Sequence, residues 1–155
     1  TMLGRDALKA FRDANNLRDR VTFLGHCDDV ERFYNALDVY FLSSNREGLP
    51  LSLLEAQSCG VRALATDVGG IPAQVGGDGA GRVLPLYSEA RTWADTIKDI
   101  TATSERYRWM SDASFDRASR HFSWGVWADE IHAIATRIKY GEEIKPRDQK
   151  VAVGH

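Results

Sequence analysis

Two glutamates, Glu47 and Glu55, have a type and a spacing that could do chemistry, since seven residues separate them. Glu47 falls in a polar turn after the apolar run 39–42, which predicts a strand, and Glu55 falls in an apolar segment that predicts a short helix. A carboxylate accepts hydrogen bonds from hydroxyls, so Glu55 could hold both hydroxyls of a ribose. Glu47 could do the same for a sugar or meet a developing positive charge. Alternatively, Glu55 only complements the helix dipole and Glu47 is a solvated turn residue.

The segment between the two glutamates could bind an anion. Gly48 has no Cβ, so its backbone can approach a ligand closely. Pro50 suits the start of a helix. The free N–H groups of Leu51, Ser52 and Leu53 would then face the loop. A helix start with free donors and a positive dipole end fits a diphosphate.

Helices and strands must alternate around this segment to position it. A second apolar run, 61–66, predicts a strand, and a turn at 67–70 follows it. Alternation of this kind implies parallel strands with right-handed crossovers, and therefore an α/β fold. In such sheets ligands bind outside the carboxyl ends of the strands. The predicted elements are a helix over 3–16, strands over 21–25, 39–42, 61–66 and 82–86, and helices beginning after 29 and after 50.

The carboxy-terminal third predicts three further helices. Apolar residues recur at helical spacing, and Gly141 is suited to end the last helix. Trp124 and Trp127 fit core packing better than a sugar-stacking surface. Residues 142–155 are charged and lack periodicity, which predicts a flexible tail.

The length and composition limit the classes of protein to which this chain could belong. A chain of 155 residues suits one domain with a sizeable core. The net charge of −2 argues against nucleic acid as a partner. No apolar run approaches the ~20 residues of a membrane span. Cys27 and Cys59 lack metal-ligand spacing, and we interpret them as reduced thiols of an intracellular protein.

These residues resemble those of the retaining glycosyltransferases called group 1, or family 4, which have the two-domain GT-B fold. The resemblance covers roughly residues 1–140 and is more specific than a lone glycine motif. It rests on the two spaced glutamates, Val-Thr-Phe-Leu-Gly at 21–25, Ala-Leu-Asp-Val at 36–39, Glu-Ala at 55–56, Gly60, and Ala-Thr-Asp-Val-Gly-Gly-Ile-Pro at 65–72.

The resemblance implies a Rossmann-like parallel sheet with helices on both faces, followed by carboxy-terminal helices. It implies transfer of a sugar from a nucleoside diphosphate sugar with retention, without a metal or other cofactor. Glu47 takes the catalytic position. The implied donor-binding residues are His26, Ser44, Arg46, Gly48, Leu49, Pro50, Leu51, Ser52 and Glu55.

Several of these positions have more than one interpretation. His26 could contact the base or be a loop histidine with a backbone partner. Gly69 and Gly70 would permit positive φ or close approach to a sugar. The family commonly has a glutamate after Pro72, where this chain has Ala73, so we assign no acidic role there. Arg62 replaces a usual proline; it could pair with a phosphate, but we expect it to be solvated.

The resemblance also implies a domain organisation. Residues 1–141 would be a donor-binding domain truncated at its start, without the Arg and Lys that hold the diphosphate. An amino-terminal GT-B domain would be a partner, and the isolated chain would turn over slowly or not at all. In the resembling fold the last helix crosses back to that domain, so some of its aromatic residues would be exposed in this chain alone. The expected location is the cytoplasm, with membrane association at its inner face through the other half as an option. A non-catalytic nucleotide-sugar-binding subunit, or relic of a split transferase, and a nucleotide-sugar epimerase remain alternatives.

Overall fold

A computed structural model describes residues 4–77 and 79–141 of the chain. The chain divides into two compact units, of which the first ends at Val30 and the second begins at Glu31. The first unit contains helix α1 (Arg5–Ala14), and helix α2 (Val30–Asn35) begins at the boundary. The predicted tail at 142–155 lies outside the described residues.

The second unit contains a three-stranded sheet whose strands run in the order β1-β2-β3. Both strand pairs are parallel, with Val39 opposite Arg62 and Ala63 opposite Gly81. The predicted parallel α/β fold is thus confirmed. The elements after α2 are β1 (Val39–Leu42), α3 (Leu51–Ser58), β2 (Arg62–Thr66), α4 (Ile71–Val75), β3 (Gly81–Leu84), α5 (Ala90–Ile100), α6 (Ser104–Phe122) and α7 (Trp124–Lys139).

The central strand β2 receives helices on both of its faces, as expected. All five of its residues are buried. Alternate side chains of a strand point to opposite faces. Leu64 therefore packs on one side against Ile100 of α5 and Met110 of α6. The other face carries Ala63 and Ala65, which pack against α3 and α4 through Leu53, Ile71 and Val75.

The predicted strand at 21–25 is wrong. These residues form no strand, and none of them is buried. The N–H of Val21 donates to the Leu17 carbonyl at 2.8 Å, so the segment begins as a turn. A strand needs a neighbour to pair its backbone groups, and the described part of the first unit contains no other strand.

The prediction that Arg62 is solvated is also wrong, because only 3% of this residue is exposed. Its Nε donates to the Tyr107 carbonyl and its Nη1 to the Asp38 carbonyl, both at 3.0 Å. The guanidinium carbon lies 3.2 Å from the centre of the Tyr107 ring. Burial removes water from the Arg62 guanidinium. The two carbonyls and the face of the Tyr107 ring take the place of that water.

Helix α7 has no buried residue in the described structure. Trp124 is 83% exposed and Trp127 is 56% exposed, and their rings make an edge-to-face contact. The expectation that these tryptophans pack in a core is wrong for the chain as described, whereas the prediction that aromatic residues of the last helix are exposed is confirmed. Gly141 has a φ of 69° just after Tyr140, the residue that caps α7, so the predicted end of this helix is confirmed.

Candidate functional site

The turns that follow β1 and β2 lie against each other. The N–H of Gly70 donates to the Gly48 carbonyl at 2.7 Å. The Thr66 hydroxyl at the end of β2 donates to the Ser44 carbonyl at 2.6 Å. The carboxyl ends of two adjacent parallel strands therefore bring the predicted loop and the glycine turn together, at the edge where such sheets bind ligands.

Glycine is required in the second turn. Gly69 has a φ of 55°, a left-handed conformation that side chains disfavour. A Cβ on Gly69 would overlap the Glu47 carbonyl, and a Cβ on Gly70 would overlap the Gly48 carbonyl. The predicted positive φ is confirmed for Gly69, whereas Gly70 has a φ of −83°. In the structure, Gly69 and Gly70 lie close to the backbone of the first turn, at Glu47 and Gly48.

Helix α3 begins at the end of the first turn. Its cap is Pro50, in an extended conformation and without a side-chain cap hydrogen bond. The N–H of Leu54 donates to the Pro50 carbonyl at 3.3 Å. The amides of Leu51, Ser52 and Leu53 lie in the first turn of the helix, where N–H groups have no acceptor within the helix. Leu53 is fully buried, so the prediction that its N–H faces the loop is wrong, and Leu51 and Ser52 remain as candidate donors. The predicted start of the helix at Pro50 is thus confirmed.

Two tyrosines hold two of the predicted donor-binding side chains. The Tyr34 hydroxyl donates to Glu55 Oε2 at 3.0 Å. The Tyr40 hydroxyl donates to Ser52 Oγ at 2.8 Å. The tyrosine rings pack edge to face, with centres 5.8 Å apart. Neither tyrosine role is apparent from the sequence, because an apolar position at helical or strand spacing does not reveal where a hydroxyl points.

Burial changes the pKa of Tyr34 and of the nearby Cys59. Burial, with the hydrogen bond to Glu55, raises the pKa of Tyr34 well above 10.0. Tyr34 is therefore a stable proton donor to the Glu55 carboxylate. Burial also raises the pKa of the nearby Cys59 thiol, with smaller contributions from Glu31 and Glu55. Cys59 is thus a weak nucleophile at neutral pH.

Replacing Tyr34 by phenylalanine should lower the free energy of unfolding by about 1 kcal/mol at pH 7, because one hydrogen bond is lost. The pKa of Tyr34 is raised in the folded state, so its contribution is present below pH 10.0 and declines as pH rises above that value. The difference between wild type and Tyr34→Phe should therefore shrink from pH 9 to 11, about one unit either side of the ordinary pKa. Urea unfolding measures it.

Tyr87→Phe is the matched control, because Tyr87 is 91% exposed and its removal should leave stability unchanged at every pH. A stability difference for Tyr34→Phe that stays constant across this pH range would contradict the raised pKa.

The remaining predicted residues divide between the two units. Glu47 and Ser44 are half-buried in the first turn, and Arg46 and Leu49 are exposed there. His26 lies in the first unit, where its Nε2 is 3.1 Å from Asp28 Oδ1. The role of His26 towards a base stays a prediction.

The predicted site is an exposed edge. Gly48, Leu51 and Glu55 are all exposed. Two clefts in the described chain, of about 390 and 400 Å³, are lined instead by α6 and by α6 with α2 and the end of α3. No predicted site residue lines either cleft.

Among the described helices, none has the length and apolar character needed to cross a membrane.

This architecture defines the chain as a domain of the GT-B glycosyltransferase class. A sucrose-phosphate synthase from Thermosynechococcus elongatus superposes with a TM-score of 0.78 at 26% identity, over 89% of this chain and 35% of that one. The Anabaena protein HepE, solved in complex with UDP, gives a TM-score of 0.77 at 21% identity, over 85% and 37% of the two chains. The family described as "Glycosyl transferases group 1" matches residues 2–117, and this chain belongs to that family.

Curated relatives agree with this assignment. A D-inositol 3-phosphate glycosyltransferase of Mycolicibacterium smegmatis is 33% identical over 134 residues, which is 85% of this chain and 30% of the relative. The enzyme of the same name from Mycolicibacterium vanbaalenii is 35% identical over 119 residues, or 76% and 26% of the two chains. The chain thus spans about a third or less of these relatives.

Proposed function

We propose that the edge formed by the two turns and the start of α3 binds the nucleoside diphosphate sugar of a retaining glycosyltransferase. The observation that carries this proposal is the uncapped start of α3, flanked by Ser52 and Glu55 that the tyrosines hold in place. Free amides at a helix start suit a diphosphate. The UDP bound to HepE, a protein of the same fold, also supports it.

Each part of the proposed site has a chemical role. The amides of Leu51 and Ser52 stabilise the diphosphate as it leaves and gains negative charge. Glu55 accepts hydrogen bonds from the ribose hydroxyls. Its Oε2 already accepts from Tyr34, which fixes the carboxylate and leaves Oε1 and further lone pairs for the ribose. Glu47 holds the hydroxyls of the donor sugar.

The activity of the whole protein is part of the proposal. The acceptor would bind to a further domain, and transfer would take place in the cytoplasm or at the inner face of the membrane, without a metal ion. The 155-residue chain alone should turn over slowly, because backbone amides attract a diphosphate less strongly than charged donors. Ordinary turnover by this chain in a radiolabelled sugar-transfer assay would contradict that expectation.

Replacing Glu55 by alanine tests the proposed ribose contact. At least one of UDP, GDP and ADP should bind the wild-type chain, and Glu55→Ala should weaken that binding about tenfold, because hydrogen bonds to a charged acceptor are lost. Isothermal titration calorimetry measures both affinities.

Glu31→Ala is the matched control. Glu31 and Glu55 both act on the Cys59 thiol, so the two carboxylates share one neighbourhood. The control variant should bind within twofold of wild type, a difference of about 0.4 kcal/mol. Equal affinities for Glu55→Ala and wild type would reject the ribose role, and no binding of any of the three nucleotides would reject the site.

A further inference from the structure

Gln74, on α4, reaches the start of α3 through a fully buried side chain. Its Nε2 donates to the Pro50 carbonyl at 3.0 Å. The same carbonyl accepts the N–H of Leu54. Gln74 therefore holds the cap residue from which the amides of the proposed diphosphate site follow.

Helix α4 is itself held at both ends. At its start, the N–H of Gly70 donates to the Gly48 carbonyl. At its carboxyl end, Arg117 of α6 donates through Nε to the Gln74 carbonyl at 2.8 Å and through Nη2 to the Ala73 carbonyl. The backbone that carries the Gln74 side chain is thus fixed, so its amide has a fixed direction towards Pro50.

A second glutamine offers a comparison. Gln57 is equally buried, and its Nε2 donates to the Gln74 carbonyl at 3.4 Å. Within the described residues, the Oε1 atoms of Gln57 and Gln74 have no hydrogen-bond partner. A buried unpaired acceptor costs about 1–3 kcal/mol. An apolar side chain of similar length would avoid this cost, so stability alone does not explain a glutamine at position 74.

We propose that Gln74 is a positioning residue for the donor site. It fixes the Pro50 carbonyl and thereby the direction of the amides that meet the diphosphate. The inference rests on the proposed function and deepens it. Within the described residues, the Gln57 side chain donates its one hydrogen bond to the Gln74 carbonyl, which Arg117 already holds, so we assign Gln57 no such role.

Two variants of similar shape separate positioning from packing. Gln74→Met should keep the melting temperature of the wild type or raise it, yet bind UDP about tenfold more weakly, a loss of about 1.4 kcal/mol. Gln57→Met should change the melting temperature similarly and bind UDP within twofold of wild type. GDP or ADP replaces UDP as the probe if it binds the wild type more tightly.

A second readout isolates the phosphate end of the ligand. The affinity for uridine, which lacks phosphates, should be the same in Gln74→Met and wild type, because Gln74 acts only on the helix start. If Gln74→Met fails to fold, Gln74→Leu also lacks the donor and takes its place.

Three results would overturn the inference. The first is wild-type UDP affinity in Gln74→Met. The second is an equal loss of affinity in both variants, or an equal loss for uridine and UDP, which would assign Gln74 a general structural role. The third is a wild-type chain that binds no nucleoside diphosphate. Only the third result also removes the proposed function.

Discussion

Gly69→Ala is expected to lower the free energy of unfolding by about 2–4 kcal/mol and to weaken nucleotide binding at least tenfold. Gly69 has a φ of 55°, and an added Cβ would overlap the carbonyl of Glu47. The overlapping atom belongs to backbone, so a side-chain rotation cannot relieve the clash. The two turns must separate, which moves Glu47 and the start of α3. Urea unfolding and calorimetric titration with UDP measure the two effects.

Gly48→Ala is the matched control in the facing turn. A Cβ on Gly48 would meet nothing within 4 Å, so stability should stay within about 0.5 kcal/mol of wild type. Nucleotide affinity should nevertheless fall, because the proposed ligand approaches this backbone. Wild-type stability in Gly69→Ala would contradict the contact between the turns. Wild-type affinity in Gly48→Ala would show that the ligand does not approach the loop closely.

Arg62→Met should lower the free energy of unfolding by about 3 kcal/mol. Methionine fills much of the same volume but removes both donors, so the carbonyls of Asp38 and Tyr107 each lose a hydrogen bond from a buried side chain. The contact with the Tyr107 ring is lost as well. Because Tyr107 belongs to α6, the substitution also weakens the attachment of this helix to the sheet. Thermal and urea unfolding measure the loss.

Arg91→Met is the control for removing an arginine. Its side chain is 89% exposed and pairs with Asp95 one helical turn away, at 3.7 Å. Exposed pairs of this kind contribute about 0.3–0.5 kcal/mol. If Arg62→Met and Arg91→Met cost the same, Arg62 does not have the buried contacts described above.

The parts of the fold that local sequence determines were predictable. The apolar runs of β1 and β2, the turn residues between them and Pro50 at the start of α3 each depend on neighbours in the chain. The strand at 21–25 was predicted wrongly because an apolar run does not reveal whether a partner strand exists. Arg62 was predicted wrongly because one of its acceptors, Tyr107, lies on α6, 45 positions away.

The candidate site was predictable to a similar degree. The spacing of Glu47 and Glu55 indicates a loop followed by a helix, and the structure contains both. The contacts that hold Glu55 and Ser52 come from tyrosines on other elements, 21 and 12 positions away. Their hydroxyl directions depend on how α2 and β1 pack against α3. Only the folded structure contains that information.

The central claim is that the start of α3 and the glycine turn form one nucleotide site. Amide chemical shifts of the ¹⁵N-labelled chain, followed during titration with UDP, GDP and ADP, test it most directly. The account predicts that one nucleotide shifts the amides of Gly48, Leu51, Ser52 and Gly70 together, with one saturation curve. Saturating shifts confined to α6, or no shift at these four amides with any of the three nucleotides, would contradict it.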